Sequence, residues 1–176
     1  NTEEPYFVDV DGEMYVATTP EVECDPIAGS YSAYANSAFE GNPDEMWTVN
    51  ITYDEVDPTK VWIQPIMLLE GLEENKINPV YGTFNASNNS LVVPLGQVLY
   101  GAEGGEYCFV LGSVDQNYDP VTNGNLVLEV KNVNGKNTIE IPYIIGIGNL
   151  SEGEDGWWYQ ALGYTVFTSN SSAICP

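Results

Sequence analysis

The chain has 176 residues, 43% of them hydrophobic, which is enough for one domain with its own core. Against 26 acidic residues stand four lysines and no arginine, and the formal charge of -22 repels nucleic acid and anionic membranes. There is no histidine, which removes Ser-His-Asp and Cys-His catalysis, His-ligated zinc and the usual base near neutral pH.

Residues 1–26 read as an N-terminal hairpin and linker. YFVDVDGEMYVAT at 6–18 places strand-like runs on both sides of Asp11-Gly12, the favoured two-residue hairpin loop. DVDG looks like part of a calcium loop, but an EF-hand register would put Phe7 first and Thr18 twelfth, so it reads as a turn. The Pro-rich, acidic stretch 19–29 is the linker. Beginning at Asn1 without Met, the chain reads as processed or trimmed.

The body, 27–170, is a series of short apolar runs separated by Gly, Pro, Asn and Asp. Strands are expected at 30–38 and at 46–53, where Trp47, Val49, Ile51 and Tyr53 face one side. A longer apolar run, 61–69, contains Pro65, which has no N–H for a ladder and marks a bulge or an edge. A hairpin follows over 78–84 and 90–94, then strands at 106–112, 124–131, 136–145 and 156–168, with Asn134-Gly135 as a second strong hairpin turn. No long stretch has helical periodicity; a single helical turn fits near 155–162. GIGNLS at 146–151 lacks the third glycine of a dinucleotide loop and reads as a loop. Residues 171–176 form a loose tail. Roughly eight or nine antiparallel strands predict an all-β fold, an up-and-down barrel or, as the alternative, a sandwich. No run of about 18 apolar residues is present to span a membrane as a helix.

Cys24, Cys108 and Cys175 are an odd set without zinc-pair spacing. Cys108, in an apolar strand, is expected as a buried free thiol, and any bridge joins Cys24 to Cys175. Asp115, Asn117 and Asp119 have the alternate spacing of half a calcium loop, but Pro120 and Leu126 occupy the sixth and twelfth positions, which favours an Asx-rich turn with at most weak calcium binding and no cofactor. Trp157, Trp158 and Tyr159 follow the acidic residues 152–155; such rings either stack on sugar faces, helped by Trp62, or fill the core. Asn-X-Ser/Thr sequons at Asn50, Asn85, Asn88, Asn149 and Asn170 read as by-products of polar turns.

The order of phrases GSYSAYANSAF, MWTVNITYD, KVWIQPI, VYGTFN with LVVPLGQ, and a final strand ending YTVFT resembles the lipocalin-like (calycin-like) domains of uncharacterised lipoproteins from gut anaerobic bacteria, over about residues 27–169. The resemblance implies an antiparallel barrel exported to the periplasm or cell surface. It supplies no functional residues to carry over, and Cys24 lies too far inside the chain to be the lipid-bearing cysteine.

The leading expectation is a non-enzymatic exported barrel protein that binds a small or extended, glycan-like ligand at one barrel end. The alternative is a structural or adhesive module of a surface assembly without a small ligand. A carboxylate-based hydrolase would require two carboxylates facing each other across a cleft.

Overall fold

A computed structural model describes residues 6–8, 14–16, 27–38, 42–102, 108–115, 117, 119–149 and 160–171. β1 (Tyr6–Val8) and β2 (Met14–Val16) form an antiparallel two-stranded sheet of their own. Their last pair is Val8 with Met14, and the turn expected at Asp11-Gly12 lies outside the described residues.

The body is a closed antiparallel barrel with eight wall positions, each beside its neighbour in sequence. The first four are β3 (Gly29–Ser37), β4 (Glu45–Tyr53), β5 (Lys60–Gln64) and β6 (Val80–Asn85). The fifth is shared by β7 (Ser90–Pro94) and β8 (Val98–Gly101), the sixth by β9 (Cys108–Val114) and β11 (Asn125–Val133), and the seventh by β12 (Lys136–Ile141) and β13 (Ile145–Asn149). The eighth, β14 (Gln160–Ser169), pairs on one side with β12 and β13 and on the other with β3, which closes the ring. Between β9 and β11 the chain steps out of the wall. There β10 (Pro120–Val121) doubles back on Val114 and Ser113 before wall pairing resumes at Asn125 with Pro94. This is the up-and-down barrel that the strand series predicts.

Two seams hold the divided positions together. At the break between β7 and β8 the Gln97 side chain replaces missing ladder bonds: its Oε1 accepts from Tyr81 N at 2.8 Å, and its Nε2 donates to Tyr81 O at 2.9 Å. The outward step after β9 presses Thr122 O against Gly96, which has φ +79°, leaving no room for a Cβ. Asn134-Gly135, with φ of 53° and 78°, makes the tight turn expected of it between β11 and β12.

Alternation along the strands builds the core. Tyr31, Ala33 and Ala35 of β3, Trp47, Val49 and Ile51 of β4, and Leu126, Leu128 and Val130 of β11 are all buried. Ala33 pairs with Trp47 on one side and Phe167 on the other. Its small side chain leaves space for those rings to meet edge to face, centroids 6.1 Å apart. The buried polar tips are satisfied: Trp47 Nε1 donates to Pro65 O at 3.1 Å and the Tyr31 hydroxyl to Ile27 O at 2.6 Å.

Four expectations are corrected. The run 61–69 is not one strand, because β5 ends at Gln64 and Pro65 cannot continue the ladder. Residues 65–79 instead cross one end of the barrel, and Ile66, Met67, Leu69 and Ile77 plug it, each at most 2% exposed. The strand expected over 136–145 is interrupted after Ile141 and resumes at Ile145. Residues 145–149 are strand, not loop, because β9 and β14 flank them with ladders that override the weak strand propensity of Gly and Asn. The helical turn fitted near 155–162 is strand from Gln160 onward, and the 3-10 turn among the described residues is Glu74–Lys76. Cys108 is a buried free thiol, as expected. Cys24 and Cys175 lie outside the described residues.

Candidate functional site

β3 runs toward one end of the barrel, β4 starts there, and so does β14. The inward parity of each strand continues past the apolar layers to a polar residue: Ser37 beyond Ala35, Glu45 before Trp47, Gln160 before Leu162. Ala35 pairs with Glu45 and Ser37 with Leu162, so the three polar positions share one rim. The 65–79 crossing lies against them. Together they border a cavity of about 620 Å³, with Ser37, Asn42, Glu45 and Gln160 on one side and Glu70, Glu73 and Glu74 on the other. Pro43, Leu68, Leu69, Leu72 and Ala161 supply its apolar lining. A volume of this size matches the clefts of about 300–1,000 Å³ that hold small molecules.

Gln160 fixes the geometry. Its Nε2 donates to Glu45 Oε1 at 2.7 Å, and its Oε1 accepts from Glu70 N at 3.0 Å. One amide thus ties the crossing segment to the wall and holds one oxygen of Glu45 in place. The other oxygen, Oε2, is buried and has no hydrogen-bond partner. Burial holds the Glu45 carboxyl above its usual range; the Gln160 bond opposes this and the Glu70 charge reinforces it.

Of the residues singled out from sequence, Trp62, Asp115, Asn117 and Asp119 do not line this cavity. Trp62 is on the outer wall, partly buried, paired with Tyr81 across β5 and β6. Its indole N–H donates to Asp54 Oδ2 at 2.9 Å, and Lys60 Nζ lies 4.1 Å from its ring centroid and 4.9 Å from that of Tyr81. The ring face is therefore occupied by a cation of the same chain. Asp54 also accepts from Val56 N and Asp57 N, and these bonds, with the Trp62 bond, hold its carboxyl below the usual range. Trp157, Trp158 and Tyr159 lie outside the described residues; they immediately precede Gln160 in the chain.

Asp115, Asn117 and Asp119 close a turn on themselves. Asp115 Oδ1 accepts from Asn117 N at 2.8 Å and Asp119 N at 2.9 Å, the bonds of an Asx-rich turn. Among the described residues no group of three or more potential metal ligands comes together.

The cavity residues carried one signal that sequence reasoning missed. The clean alternation of Trp47, Val49 and Ile51, extended one step back, puts an acid at an inward position. Glu70, Glu73 and Glu74 carry no such mark, because their placement depends on the path of the crossing segment.

No family model, curated protein or solved structure matches this chain.

Proposed function

We propose that the protein is a binding barrel which takes a small ligand, or the end of an extended one, into the cavity at its loop-rich end. The single observation that supports this most is that cavity, with apolar residues on its lining and polar groups held in place by Gln160. The phrase resemblance adds the setting, an exported cell-envelope protein of a bacterium. The lack of histidine removes the commonest general base near neutral pH, which supports a non-enzymatic role without requiring it.

A ligand that binds only the folded state raises Tm in proportion to the logarithm of its concentration once saturating. Thermal shift against a panel of polar small molecules and oligosaccharides should yield such compounds. Leu72→Trp, which narrows the cavity from a partly exposed position, should abolish the shift without loss of fold. If no compound shifts Tm, or Leu72→Trp changes nothing, the structural-module reading replaces this one.

A second reading follows from the neighbouring carboxyls. Glu45, held protonated more easily than an ordinary glutamate, and Glu70 line one cavity, the ingredients of an acid and a base for glycoside cleavage. Release of nitrophenol from aryl glycosides, lost in Glu45→Gln, would establish that reading over simple binding.

A further inference from the structure

We infer that residues 70–76 form a strap beside the cavity whose closure is set by the protonation of Glu45: latched when that carboxyl carries a proton, loosened when it is ionised. This deepens the binding reading above by naming a control on the same cavity, and its purpose rests on that reading. The first support is how the strap is held. Its two flanks are fixed: Leu69 and Ile77 are buried, and the Gln64 amide donates to Ile77 O at 2.9 Å. Between them every residue is exposed except the half-buried Leu72. The backbone bonds from Leu72 N to Leu69 O, Lys76 N to Glu73 O and Ile77 N to Glu74 O stay within the crossing segment. Among the described residues, the one hydrogen bond that joins 70–76 to the wall runs from Glu70 N to Gln160 Oε1. Gly71, with φ +80° and open space where a Cβ would stand, gives the strap a joint beside that tie.

The second support is what stands behind the tie. Gln160 is anchored in turn on Glu45 Oε1, while Glu45 Oε2 is buried without a partner. With its carbonyl held by Glu70 N, the amide is not free to swing toward Oε2. An ionised Glu45 therefore keeps an unsatisfied oxygen out of water, which is costly. A proton taken from solvent settles on Oε2, removes the charge and leaves Oε1 to accept from Gln160. Release of the strap is the other remedy, since it frees Gln160 to reorient and lets water approach the carboxylate. The surrounding groups act in the same sense. Burial holds the Glu45 carboxyl up, the Gln160 bond opposes this, and the charge of Glu70 on the strap adds to it. Glu73 and Glu74 border the same space, and Lys76 of the same 3-10 turn does not. Asp44, the neighbour of Glu45, accepts from the Tyr34 hydroxyl at 2.5 Å. β3 and β14 bring only uncharged Ser37, Gln160 and Ala161 to this cavity. Closure thus takes up a proton: the closed strap is fully favoured below the pH at which Glu45 titrates in the open form, and weakens as pH rises through the higher value of the closed form.

The test is amide hydrogen exchange of the whole chain, resolved by NMR at about pH 5 and about pH 7.5 and corrected for intrinsic rates. Protection of the Glu70 N–H should fall about three- to tenfold between the two. The Gly135 N–H, held by Asn132 Oδ1 at 3.1 Å in the β11–β12 turn, reports the general effect of acid and should change less. Glu45→Gln, neutral at both pH values and still offering an oxygen to Gln160, should keep Glu70 protected at both. Gln160→Ala should leave it unprotected at both. Glu73→Gln, on the strap but outside the tie, should keep the wild-type response.

A response that persists in Glu45→Gln, that is lost equally in Glu73→Gln, or that Gly135 matches would overturn the latch. So would full protection of Glu70 in Gln160→Ala. Thermal shift with the compound panel at the same two pH values separates this inference from the reading it rests on. Compounds that bind while Glu70 fails to respond leave the cavity intact and overturn the latch alone. A response at Glu70 with no compound bound upholds the latch and removes the binding reading alone.

Discussion

Glu45 and Trp47 are two residues apart on the same inward face, yet one is charged at the rim and the other is sealed in the core. Their substitutions should behave in opposite ways. The Glu45 carboxyl titrates above its ordinary 4.5 in the folded protein, chiefly because burial disfavours its charge. Its contribution to stability is therefore fully present below that ordinary value and is lost as pH rises through the raised one. Glu45→Gln removes the loss, so the variant should be the more stable at neutral pH, with the gap closing as the pH falls toward 4.5. Melting curves of both proteins across that range decide it; a variant less stable at neutral pH would show that Glu45 is paired. Trp47→Ala, by contrast, should cost about 3–5 kcal/mol in chemical denaturation, because the cavity it leaves beside Phe167 cannot collapse. Trp62→Ala should cost distinctly less, since that ring is only partly buried. Equal losses would contradict its place on the outer wall.

Among the elements, the divided fifth and sixth wall positions are the places where the barrel is most exposed to damage. Gly96 lies where the outward step crosses the β7–β8 break, and a Cβ there would stand 2.6 Å from Thr122 O. Gly96→Ala should therefore lower Tm by far more than the same change at Gly135, where the turn is open and only the positive φ is strained. Similar effects at the two sites would mean that the step is not packed against the wall. The strands that were legible in the sequence are those with one face in the core and one in water. Trp47-Val49-Ile51 and Leu126-Leu128-Val130 announce themselves by alternation. Ile66, Met67 and Leu69 do not, because a segment that plugs a barrel end is apolar for the same reason as a strand but has no period to show it. Ile145–Asn149 fails in the other direction: its glycines suggest a loop, and only the ladders on both sides make it a strand. The cavity was half legible. Glu45 sits in phase with an alternating strand, whereas the three glutamates opposite depend on a chain path that local sequence does not encode.

At the scale of the whole molecule, charge dominates. A formal -22 over 176 residues gives strong self-repulsion, which salt screens. Stability should rise with added sodium chloride at neutral pH, and calcium should act weakly, at several places, by the same relief. Its effect should shrink at about 1 M salt, where screening shortens to about 3 Å, and Asp115→Ala should leave it largely intact, because that carboxylate is engaged in its own turn. A calcium response that survives high salt and vanishes in Asp115→Ala would instead reveal a specific site. The closure of β14 on β3 has a further result. Asn170 N donates to Ser30 O at 2.8 Å and Asn170 Oδ1 accepts from the Ser32 hydroxyl at 2.6 Å, so the strand that begins the ring and the strand that completes it part company side by side. Both do so at the pole away from Glu45 and Gln160. A force applied where the ring begins and ends, at Gly29 and Ser169, would therefore load that pole and leave the rim that carries the cavity unstrained.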